Sequence, residues 1–179
     1  MPSGGVINEI AFRLDEDQRG ALQKFDIADL EVRMSTSPSL ATVVPSMTFS
    51  ENVGPDETIV LPRTAVHLES RPTLSGPNNF DLVINLQTPF RYDPNKGSLA
   101  IDFLTHGLHI PSPLVDAQKE GIPKNFVTLN SGIDQEFTSD FYPSPILRIG
   151  FSAVPEPTTP MLLALGGLCV LILNRRTRI

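Results

Sequence analysis

A chain of 179 residues is long enough for one domain with a hydrophobic core and gives no reason to assume two. The net charge of −6 understates the body: three of the 14 basic and one of the 20 acidic side chains fall after residue 154, leaving 11 against 19, or −8. That excess repels phosphate backbones and argues against a nucleic-acid partner, while Cys169, the single cysteine, lies near the end and leaves the body without thiol chemistry.

Seventeen prolines, two tyrosines and no tryptophan, with β-branched runs spread along the chain, predict short strands separated by turns. The first strand is expected to place Val6, Ile10, Phe12 and Leu14 on one face, with Asn8 the polar exception and Glu9 and Arg13 opposite. Residues 27–35 repeat the pattern, with Leu30, Val32 and Met34 inward and Glu31 and Arg33 outward. Weaker strands are expected at 47–49, 58–61 and 65–68, with His67 facing solvent between Val66 and Leu68.

The clearest period of two follows, where Phe80, Leu82, Ile84 and Leu86 alternate with Asp81, Asn85 and Gln87. Leu99, Ile101 and Phe103 are its expected hairpin partner, because Asp93-Pro94 starts a turn and Gly97 can supply a positive φ at its exit. Further strands are expected at 126–129 and 146–151. Eight or nine short strands without heptads or βαβ spacing predict an all-β fold, an antiparallel β-sandwich of jelly-roll type, over residues 1–152.

Candidate chemistry in this body is sparse. His106 and His109 have an H-x-x-H spacing that could hold a metal, but no neighbouring carboxylate or third ligand accompanies them, which favours solvated or hydrogen-bonded imidazoles. Asp134, Glu136 and Asp140, and Asp93 with Asn95, offer oxygen ligands without the spacing of a calcium loop, so turn formation and solvation explain them better. No nucleophile elbow, phosphate loop or zinc-protease motif is present, and Ser35, Ser37 and Ser39 have no evident His partner. The reading is of a non-enzymatic body with no cofactor, no metal and no catalytic residues. Paired carboxylates for glycoside hydrolysis cannot be placed from sequence. The close aromatic pairs Phe90 and Tyr92, and Phe141 and Tyr142, could stack on sugars, which makes a carbohydrate-binding module the alternative.

The C-terminal 27 residues differ from everything before them. A Pro-rich linker, 153–160, carries Val154-Pro155-Glu156-Pro157. Residues 161–173 follow without a charge, with Met161, Leu162, Leu163, Leu165, Leu168, Val170, Leu171, Ile172 and Leu173 as the apolar side chains. At helical rise they span roughly 20 Å, short of the ~30 Å hydrocarbon core of a bilayer. The absence of any polar face argues against a buried core helix. Arg175, Arg176 and Arg178 close segment 161–179 and hold that end in the cytoplasm by the positive-inside rule, which puts the body across the membrane. The prolines keep the preceding motif extended, as a protease needs.

The order of Pro-Glu-Pro tripeptide, apolar helix and basic end resembles the PEP-CTERM sorting signal of exported proteins in bacteria that make exopolysaccharide. The resemblance implies recognition by an exosortase, a membrane-embedded transpeptidase-like enzyme, with cleavage near the motif. It further implies a membrane partner through the helix, an extracytoplasmic body in the cell envelope, and release into or attachment to a polysaccharide matrix, where a structural or adhesive role is expected. Family members carry an N-terminal signal peptide, whereas this chain opens MPSGGVINEIAFRLDEDQRG without a basic or apolar leader region. The expectation is a start codon upstream of Met1, the alternative being a genuine loss of the leader.

Overall fold

The computed structural model describes residues 4–38, 46, 48–105, 115, 117–118, 126–127, 141–142 and 144–152. Among them the fold is all-β. β1 (Gly5–Phe12) lies between β4 (Leu82–Tyr92) and β10 (Leu147–Ser152), and β2 (Gln23–Ser37) lies between β3 (Thr58–Ser70) and β5 (Ser98–Thr105), every pairing antiparallel. Two-residue ladders join β6 (Ala117–Gln118) to β9 (Ser144–Pro145) and β7 (Phe126–Val127) to β8 (Phe141–Tyr142). The only helical piece among the described residues is a 3-10 turn, Phe49–Asn52, which overlaps the strand expected over 47–49 at Phe49 alone.

One apolar cluster joins the two large sheets. Ile7 and Ile10 of β1, Leu82 and Ile84 of β4, Val32 and Met34 of β2 and Val60 of β3 belong to it, so the sheets face each other as a sandwich. Full burial of each such side chain is worth about 2 kcal/mol, which is why the inward positions dictate the fold. A jelly roll places four strands in each of two sheets. The described residues place three in each, and the sandwich is the part of that expectation they carry.

Residues 80–87 do not form a hairpin with 98–104. β4 pairs with β1, through Ile10↔Ile84 and Phe12↔Leu82, whereas β5 pairs with β2, through Met34↔Ile101 and Val32↔Phe103. The intervening turn therefore crosses from one sheet to the other. Alternation tells which face of a strand is buried and is silent about its neighbour, so two strands with matching patterns can lie side by side or face to face. The turn chemistry is as expected: the Asn95 N–H donates to Asp93 Oδ1 and the Lys96 N–H to the Asp93 carbonyl, each at 3.0 Å. Gly97, at φ +154°, packs against the Ser37 carbonyl at the end of β2.

β1 also departs from simple alternation. Ile7 opposes Phe151 and Glu9 opposes Gly150, so Asn8 is an extra residue, a β-bulge that shifts the phase of the strand. Ile7 joins Ile10 at zero exposure and Val6 is only half-buried, reversing the expected roles of residues 6 and 7. The two expected strands at 58–61 and 65–68 are one strand, β3, and its register slips between Leu61 and Thr64, where Pro62 has no ladder hydrogen to give.

Buried Asn78 ties the far ends of the sheets together. Its side-chain amide donates to the carbonyls of Leu14, Asp15 and Gln18 at 3.3, 2.8 and 3.1 Å, and its oxygen accepts the Thr73 N–H at 2.8 Å.

Candidate functional site

Arg33 of β2 gathers three carboxylates: Glu31 of the same strand, Asp102 of β5 and Glu57, which precedes β3. Arg33 Nε donates to Glu31 Oε1 at 2.6 Å, and Arg33 Nη1 lies 3.7 Å from Glu57 Oε2. Asp102 stands opposite Arg33 in the β2–β5 register. Burial pushes the Asp102 carboxyl up to about 6; Arg33 pulls it down, while Glu57 and Glu31 add to the rise. Glu31, expected to face outward, is 7% exposed and accepts a hydrogen bond from Arg33.

This arrangement costs stability at neutral pH. A carboxyl whose folded pKa of about 6 exceeds its ordinary 3.8 holds its proton more tightly when folded, so stability falls as pH rises through that window. Two units would be ~3 kcal/mol, and screening at this partly exposed position reduces the effect to about 1 kcal/mol. Asp102→Asn is expected to raise stability by about that amount at pH 7 and to change nothing below pH ~4, as read by urea denaturation at the two pH values. A less stable variant at pH 7 would mean that attraction to Arg33 outweighs burial.

Among the described residues no group of three or more His, Cys, Asp or Glu is placed to hold a metal ion. His67 is exposed as expected, with Nδ1 2.6 Å from Asp26 Oδ1 across the β2–β3 pair. Asp93 and Asn95 spend their hydrogen bonds on the turn itself.

The sugar-stacking expectation fails at its first aromatic pair. Phe90 is 4% exposed within the core, and Tyr92 packs against that core with its hydroxyl donating to the Gly97 carbonyl at 3.0 Å. Neither ring is a free platform. Phe141 and Tyr142 form β8, and their side chains lie outside the described residues, as do His106, His109, Asp134, Glu136 and Asp140.

One end of the sandwich collects the start of β1, the end of β4 and the end of β10, through Gly5↔Tyr92, Val6↔Arg91 and Val6↔Ser152. Ser152, at this end, is the last of the described residues. The residues that follow, 153–176, match the family model of the PEP-CTERM protein-sorting motif. The chain carries a PEP-CTERM sorting signal. A PEP-CTERM motif supports an exported, envelope-associated protein whose sorting depends on an exosortase. The match covers Val154, Pro155, Glu156 and Pro157, the apolar run at 161–173, and Arg175 and Arg176, with Arg178 just beyond it. All of these lie outside the described residues; among the described ones no helix is long and apolar enough to cross a membrane. Comparison with curated proteins and with solved structures returns no match.

What sequence reasoning missed is the pairing that brings the exit strand beside β1. A pattern of alternating residues at 146–151 marks a strand, and nothing in it names the partner.

Proposed function

We propose that this chain is a non-enzymatic β-sandwich of the bacterial cell envelope. Exosortase processing delivers it to the envelope or the exopolysaccharide matrix, where it has a structural or adhesive role. The observation that supports this most directly is the sorting-motif match over 153–176, which begins at the residue after the last described strand. In this reading residues 161–173 lodge in the bilayer, and Arg175, Arg176 and Arg178 stay on the cytoplasmic side. The sandwich then stands outside until cleavage near Glu156 frees it. An acidic, thiol-free body suits that compartment: it resists nonspecific adhesion to anionic lipid headgroups and has no cysteine to mispair.

Mass spectrometry of the chain produced from its own gene tests the reading. In a host with an exosortase the mature chain is expected to end near Glu156. In the exosortase deletion strain, and for Glu156→Ala in the parent strain, the tail through Ile179 is expected to remain. An intact tail in every strain would sink the proposal.

A further inference from the structure

β10 holds the chain against β1 as far as Ser152, the last residue before the sorting motif. Val6 pairs with Ser152, and the Asn8 side-chain amide, on the bulge of β1, donates to Ser152 Oγ at 3.0 Å. Ser152 is three residues from Pro155. A chain reaches at most about 3.5 Å per residue, so Pro155 lies within ~10 Å of an anchored strand whatever its conformation. A protein that grips a partner specifically covers about 800 Å² on each side, a disc roughly 30 Å across. Any enzyme that holds the Pro-Glu-Pro segment therefore also meets the rim of the folded sandwich.

That rim has an unusual aromatic. Phe151 is 54% exposed although Ile7, its neighbour across the β1–β10 ladder, is fully buried. Its ring is positioned by Gly5, where a Cβ would come 2.9 Å from Phe151 Cδ1. An apolar ring held in place beside the chain exit is suited to contact with another protein.

We infer that the exit rim, formed by Gly5, Phe151 and Ser152, is a contact surface for the membrane-embedded peptidase that processes the tail, with Phe151 seated against an apolar patch at the mouth of that enzyme. The inference rests on the sorting function proposed above. It adds that the folded body, and not the linear motif alone, is recognised, because the short exit brings enzyme and rim together on every productive encounter. The same contact selects correctly folded chains, since Phe151 reaches this position only when β10 has paired with β1.

The test compares processing rates of the full chain, made from its own gene in an exosortase-containing host. Inserting eight Gly/Ser residues between Ser152 and Ala153 separates motif from rim and is expected to slow tail removal. Phe151→Ser is expected to slow it roughly five-fold, as loss of one anchoring aromatic contact does, while lowering the melting temperature by only about 4 °C, so that the chain stays folded in the assay. Phe151→Leu is expected to restore most of the rate. A photo-crosslinking residue at position 151 is expected to join the chain to the exosortase. Spacer-bearing chains processed at the original rate or faster would overturn the contact surface, as would a crosslink that joins two copies of this chain instead. Failure of the unaltered chain to lose its tail would sink the sorting reading itself, a result distinct from a processed chain that ignores the spacer.

Discussion

Gly54→Ala is expected to lower stability by about 3 kcal/mol, far more than an exposed glycine would. Gly54 is buried against the end of β2, and a Cβ built on it overlaps the Thr36 carbonyl oxygen and stands 2.7 Å from the Thr36 carbonyl carbon. Both obstacles are backbone, so no rotamer change relieves them. Displacing residue 54 would also strain the bonds beside it. The Gly54 N–H donates to Ser35 Oγ at 3.1 Å, and the Asp56 carboxylate accepts the Thr36 N–H at 2.7 Å and the Thr36 hydroxyl at 2.6 Å. Burial raises the Asp56 carboxyl, but the Thr36 bonds outweigh it and leave the group below its ordinary value. The control is Gly20→Ala: that glycine has φ +110° and nothing within 4 Å of its added Cβ, so the change there is expected to cost about 1 kcal/mol of backbone strain alone. Urea midpoints of the two variants give the comparison. Equal losses would mean that the close approach at Thr36 is not what fixes the 54–56 segment to β2.

How far the fold was legible depended on whether the information is local. The inward set Leu30, Val32 and Met34 could be read directly, because period two and burial coincide in a central strand. The alternation at Leu82 and Ile84 was equally plain, yet the partner was misassigned, since the turn signals at Asp93-Pro94 and Gly97 looked sufficient to close a hairpin, whereas β4 pairs with β1 and β5 with β2. The sorting signal was legible because it is linear: its recognition needs a tripeptide, an apolar run and arginines in sequence, and no tertiary contact. The charged group around Arg33 was not legible. Its members come from β2, β5 and the residue before β3, and their meeting depends on strand pairing that no local pattern announces. The exit rim was hidden for the same reason, because Gly5 and Phe151 are 146 positions apart and become neighbours only through the β1–β10 pairing.

The bulge at Asn8 makes a sharp distinction between adjacent residues. In an unbroken strand Val6 and Ile10 would share the inner face and Ile7 would point outward, so Val6→Ala would be the damaging change and Ile7→Ala a mild one. With the bulge the order inverts. Ile7 has no exposure and lies between Phe90 of β4 and Phe151 of β10, each paired with it across the sheet. Truncating it removes three buried carbons and leaves a void walled by β-sheet backbone that cannot collapse, so Ile7→Ala is expected to cost about 3 kcal/mol. Val6 is half-buried, and Val6→Ala is expected to cost under about 1 kcal/mol. Thermal unfolding of the two variants decides between the registers, because a loss concentrated at residue 6 requires regular alternation and a loss concentrated at residue 7 requires the bulge. The same bulge presents the Asn8 amide to Ser152, so the register that buries Ile7 is also the one that fastens the exit strand beside the sorting tail.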